Sequence, residues 1–106
     1  MEYIIKGYKP EKLFNYFEEI SAIPRGSGNE KGIADFIEGF AKERGLFCVR
    51  DALHNVFVRK NASEGYENET PIMLQGHTDM VCEQNEGTGP DFENEGLDLY
   101  VENGWL

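Results

Sequence analysis

The sequence reads as an α/β arrangement in which two helices precede several short strands. Two observations carry this. Residues 10–44 hold two stretches whose apolar positions repeat at helical spacing, Leu13/Phe17/Ile20 and Ile33/Phe36/Ile37/Phe40/Ala41. From residue 46 onward the apolar runs are short, rich in β-branched and aromatic residues, and separated by polar turns. A third feature is an apolar run that stops at Gly76 and is followed by His77 and Asp79.

The first helix begins at Pro10, a residue tolerated in a first turn. Pro24 ends it by barring Ile23 from helical geometry. Residues 1–9 form a lead-in with little pattern. In "PRGSGNEKG", Ser27 and Glu30 have the spacing of a capping box. The second helix runs from there to about Arg44. Lys42 and Arg44 lie where the helix dipole favours cations, and Gly45 stands at the C′ position. Gly32 and Gly39 each cost a helix interior about 1 kcal/mol relative to Ala, and close packing is the expected reason.

Leu46–Arg50 and Asn55–Lys60 flank the turn "DALH" and predict a hairpin. Residues 61–70 are a polar, acidic loop. "IMLQG" predicts a strand buried on both faces, Gly87 to Gly96 a loop, and Leu97–Glu102 a strand with one wet face. Asn103-Gly104 is a hairpin-turn signal. With only Trp105 and Leu106 after it, the chain reads as a piece of a longer protein.

The chain has 106 residues and a net charge of −10. That charge argues against nucleic acid or an anionic membrane as a partner. No run approaches the roughly 18 apolar residues of a membrane span, and the N-terminus lacks the features of a secretion signal. The two cysteines, Cys48 and Cys82, fit free thiols in a reducing cytoplasm.

Chemistry is concentrated at His77 and Asp79. Residues i and i+2 of a strand face the same way, so the pair can address one point, with Thr78 turned aside. The spacing leaves three roles open: a metal-binding imidazole with an orienting carboxylate, two ligands, or the base and orienter of a nucleophilic triad. A catalytic zinc needs about three protein ligands, so a metal site would draw on residues elsewhere. Cys82 could add a thiolate, but a free Cys is expected to be a small buried hydrophobe. His54, the other histidine, falls near the predicted turn without an evident partner. The Gly-rich "RGSGNEKG" could cradle a phosphate, but it follows a helix where a nucleotide fingerprint follows a strand.

The stretch "LQGHTDMV" resembles the first metal-binding motif of the M20-type co-catalytic zinc peptidases. The longer "MLQGHTDMVCEQN", the later "DF" and the terminal "NGWL" are most similar to the aminoacyl-histidine dipeptidases, as are "IPRGSGNE" and "RDALHNVFVRK". Where that family has Gly-Asn, this chain has His54-Asn55. The resemblance implies the N-terminal part of one catalytic domain over residues 1–106: two helices, a hairpin, the metal-bearing strand and a further strand. It implies that His77 is a zinc ligand and that Asp79 is the catalytic-site carboxylate that tunes it. It further implies two Zn2+ per complete site, with Mn2+ or Co2+ as substitutes, a small peptide substrate and a homodimer. The bridging Asp, the Glu-Glu pair, the other carboxylate and the distal His of the family would lie beyond Leu106; Glu93 and Glu95 are not that pair. Another M20-type aminopeptidase, carboxypeptidase or deacylase, or a non-catalytic binding module of the same fold, are the alternatives.

Overall fold

The structure, a computed structural model, describes residues 1–87, 89 and 91–106. Two positions of the predicted 87–96 loop, Thr88 and Pro90, lie outside the described residues. Its elements are α1 (Glu11–Ser21), α2 (Lys31–Glu43), β1 (Phe47–Arg50) and β2 (Val56–Arg59). The two helices and the hairpin expected from periodicity are present, with boundaries within a residue or two of those read from the sequence except at the start of α2, which falls three residues later.

Pro10 is the N-cap of α1, extended at φ −78°, ψ 125°. Its C-terminal end is closed by the Ala22 N–H, which donates to Glu18 O. The stripe expected to bury α1 does not do so: Leu13 is 58% exposed and Phe17 is also open to solvent. The buried positions are instead Glu18 and Ser21. No described element covers the Leu13 side, whereas the N-terminal lead-in folds over Glu18. The backbone N–H of Ile4 lies 2.9 Å from each Glu18 carboxylate oxygen. That of Ile5, a buried residue, donates to Oε1.

Helix α2 buries Ile33, Ala34 and Ala41. It ends in a Schellman motif: Leu46 N–H reaches Ala41 O and Gly45 N–H reaches Lys42 O, both at 3.0 Å. Gly45 sits at φ +66°, where a side chain is strained. Gly32 packs closely: a Cβ there would lie 3.3 Å from Ile23 Cγ2. Around Gly39 there is open space, so packing does not account for it. The capping box does not form. The N-cap falls at Glu30, three residues after Ser27, and makes no side-chain cap bond. Glu30 turns back to accept from the Gly28 N–H at 2.8 Å, and Ser27 bonds elsewhere.

Strands β1 and β2 pair antiparallel in the register Phe47↔Arg59 to Arg50↔Val56. Asp51 organises their turn, accepting from the N–H groups of Leu53 and Asn55 at 2.9 Å and from Asn55 Nδ2 at 2.8 Å. Helix α2 packs on this hairpin, and Arg50 ties the two together: its Nη1 lies 2.5 Å from Asp35 and 3.1 Å from Glu38.

Residues 72–76 differ most from the sequence reading. They are not a strand, and Ile72, Met73 and Leu74 are 88%, 77% and 92% exposed. A strand needs a neighbour for its N–H and C=O groups, and among the described residues none runs beside this segment. The 97–101 stretch likewise forms no ladder, although Leu97, Leu99 and Val101 are half-buried while Asp98 and Tyr100 are exposed. It is pinned at its start by Leu97 N–H to Ser21 O at 2.8 Å. The Asn103-Gly104 turn is present: both residues have positive φ, 52° and 78°, and Glu102 and Trp105 exchange two backbone bonds of 2.9 Å.

Candidate metal centre

The chain from His77 to Cys82 runs past the α1–α2 junction. Met80 N–H donates to Arg25 O at 2.9 Å, and Gly26 and Met80 form a single parallel bridge. Docking at Met80 fixes the backbone on one side of Asp79. On the other side His77 turns back, its Nδ1 2.9 Å from Asp79 Oδ1 and 3.0 Å from the Asp79 carbonyl oxygen. The structure therefore brings together the two residues singled out in the sequence, two positions apart on a segment that belongs to no strand ladder.

Both groups facing Nδ1 are acceptors, so Nδ1 carries the imidazole proton. The Nε2 lone pair is then left over, on a side chain that is 83% exposed. The second Asp79 oxygen, Oδ2, accepts from Ser27 Oγ at 2.6 Å. Ser27 and then His77 stabilise the carboxylate and hold the Asp79 pKa below its ordinary value. The carboxylate is thus ionised at neutral pH.

His77 and Asp79 share a cleft of about 440 Å³ with Glu30, Leu53, His54 and Asn55. His54 is not partnerless. Arg50 Nη2 lies 2.8 Å from its Nδ1, and since a guanidinium only donates, that nitrogen accepts. His54 adopts φ +67°, the left-handed conformation, at the position where the resembled family has Gly. A larger hollow of about 670 Å³ lies against residues 26–29 and 81–83, away from both imidazoles. Cys82, expected to be buried, is exposed. Residues 81–85 follow the surface, and the thiol lies at 3.7 Å from Met80 O.

Among the described residues no group of three or more His, Cys, Asp or Glu is placed to hold an ion. What is present is one exposed imidazole nitrogen, with its ring oriented by a carboxylate. That suits a single ligand of a larger site, because such a carboxylate fixes the tautomer and raises the basicity of a metal-bound His. The contact that sequence reasoning missed is Ser27–Asp79. Its only signal was a Ser in a helix-start pattern, which points to a cap.

In sequence and in fold the chain is similar to two dipeptidases. It is 38% identical over 97 residues to the cytosol non-specific dipeptidase of Escherichia coli K12, a match covering 92% of this chain and 20% of that protein. It also superposes on the crystal structure of aminoacylhistidine dipeptidase from Vibrio alginolyticus, with a TM-score of 0.83 and 37% identity. That match covers 90% of this chain and 19% of the other. The two helices and the hairpin match the N-terminal part of that dipeptidase, so the resemblance drawn from "GHTDMV" and its surroundings holds. The chain spans about one fifth of the length of these two relatives. No family model matches it.

Proposed function

We propose that this chain supplies the opening metal-ligand segment of an M20-type dipeptidase that hydrolyses dipeptides, Xaa-His among them. The observation that carries the reading is the free, outward Nε2 of His77, created because Nδ1–H is committed to Asp79. In this reading His77 is a zinc ligand and Asp79 orients its ring and keeps the lone pair on Nε2. Zn2+, or Mn2+ or Co2+ in its place, supplies Lewis acidity when bound. The remaining ligands and the general base are contributed by other parts of the protein. A homodimer in the cytoplasm, without nucleic-acid or membrane partners, completes the reading. The net charge of −10 disfavours nucleic acid and anionic membrane surfaces; no described helix is long and apolar enough to cross a membrane. The name of the E. coli relative, a non-specific dipeptidase, favours a dipeptide range wider than Xaa-His alone.

Zinc titration of the 106-residue chain, followed by NMR of the histidine rings, tests this. Weak binding that perturbs His77 and vanishes in His77→Ala is expected, with no hydrolysis of a Xaa-His dipeptide. Binding unchanged in His77→Ala would remove the assignment. Hydrolysis by the 106-residue chain with added zinc or manganese would show that the site needs no residues from outside it.

A further inference from the structure

From the geometry of the α1–α2 junction we infer that Ser27 is a positioning residue for the His77 imidazole, acting through Asp79. The Asp79 carboxylate is held at both ends: Oδ2 accepts from Ser27 Oγ at 2.6 Å and Oδ1 lies 2.9 Å from His77 Nδ1. Were Oδ2 free, the side chain could turn about its χ angles and carry Oδ1 away from the ring. Ser27 itself is anchored. Its neighbours Arg25 and Gly26 are tied to Met80, by the 2.9 Å Met80 N–H to Arg25 O bond and by the parallel bridge. Gly26 is buried, and a Cβ there would fall 2.7 Å from Cys82 Sγ, so the two segments lie in close apposition. Backbone clip and side-chain bond together make a closed loop: Ser27, Asp79, Met80, then Arg25 and Gly26 back to Ser27. The junction between the two helices thereby sets the tautomer of an imidazole fifty residues further along the chain. This accounts for Ser27 not serving as the helix cap that its spacing suggests. A cap would need Ser27 Oγ to accept a backbone N–H; here the hydroxyl points at Asp79 and donates to an ionised carboxylate, a charge-assisted bond.

The inference rests on the proposed function only for the use to which Nε2 is put; the tautomer itself is measured without metal. In the 15N-labelled chain at a pH where the rings are neutral, long-range 1H–15N spectra report which ring nitrogen carries the proton. Wild type is expected to show His77 protonated at Nδ1. Ser27→Ala is expected to move the tautomer ratio toward Nε2–H by on the order of tenfold, the scale of a hydrogen bond to an ionised group, and so toward the ratio in Asp79→Ala. Ser27→Thr, which keeps the hydroxyl, restores the wild-type ratio. His54, whose ring is held by Arg50 and not by the Ser27–Asp79 bond, is the internal control: general loss of structure moves both rings, loss of positioning moves only His77. If Ser27→Ala does not fold, Ser27→Cys, whose thiol is a weak donor, is read the same way. A wild-type tautomer in the Ser27 variant overturns the inference. So does a wild-type tautomer in Asp79→Ala, which would mean that the Asp79 carbonyl oxygen alone holds the ring. Neither result touches the assignment of His77 as a ligand, which stands or falls with the zinc titration of His77→Ala.

Discussion

Replacing Glu18 should release the N-terminal lead-in while leaving α2 intact. Glu18 is only 3% exposed, and its carboxylate accepts the backbone N–H groups of Ile4 and Ile5. Ile5 is itself 4% exposed, so its N–H has little access to water once the carboxylate is gone. A hydrogen bond to a charged acceptor contributes about 1.5–3 kcal/mol, and a buried donor left unsatisfied costs about 1–3 kcal/mol. These are two views of one loss and are not summed. For Glu18→Ala, about 2 kcal/mol of local stability is therefore expected, or about thirtyfold in the opening equilibrium. Glu18→Gln keeps the volume and one acceptor oxygen but not the charge, and should lose about 1 kcal/mol, roughly fivefold. Native-state amide hydrogen exchange by NMR measures this directly. Protection at Ile5 should fall by those factors, while Ala34, whose N–H donates to Glu30 O at 3.0 Å, keeps its own. Ile5 protection within about twofold of wild type in Glu18→Ala would refute the reasoning, since a lost charge-assisted bond cannot be that small.

Acid should weaken the ion pairs that Asp35 makes with Lys31 within α2 and with Arg50 of the hairpin. Lys31 and then Arg50 hold the Asp35 carboxyl down at about 2, against roughly 4 in an unfolded chain. Because the folded value is the lower one, the contribution is complete above about pH 4 and is lost as pH falls toward about 2. Asp35→Asn should flatten that part of a urea-midpoint against pH curve, and an unchanged slope would contradict the assignment. Gly39 within α2 and Gly45 just past its end should respond in opposite directions to Ala. Gly45→Ala places a side chain at φ +66° and should lose about 1 kcal/mol. Gly39→Ala, with open space around its Cβ, should gain up to about 1 kcal/mol. Thermal melts of the two variants check the pair, and a shift of the same sign in both would show that local backbone preference does not govern them.

Elements whose signals are local were legible in the sequence. The 3.6-residue periodicity of residues 33–41, Gly45 after the last helical turn, the Asn103-Gly104 turn and the 46–60 hairpin all concern groups within a few positions of one another. The pairing of His77 with Asp79 was legible as well, because two residues apart they meet in more than one backbone conformation. Readings that needed a distant partner fared worse. "IMLQG" has the composition of a buried strand, yet a strand's backbone is satisfied only by neighbours. Leu13 and Phe17 form a stripe, but a stripe does not say what covers it. Glu18 was invisible as a core residue because charge marks a surface position unless a donor arrives, and its donors come from residues 4 and 5.

By itself, then, the sequence determined the two helices, the hairpin, the turn chemistry and the imidazole–carboxylate pair on which metal chemistry could be built. These follow from dihedral preference, side-chain period and spacing, which act over a few residues. Only the tertiary structure decided that Ser27 serves Asp79 rather than α2, and that Arg50 reaches Asp35, Glu38 and His54. It alone placed the lead-in over Glu18. Each of these is a choice among competing hydrogen-bond partners, made by which segments the packed chain brings within about 3 Å of one another.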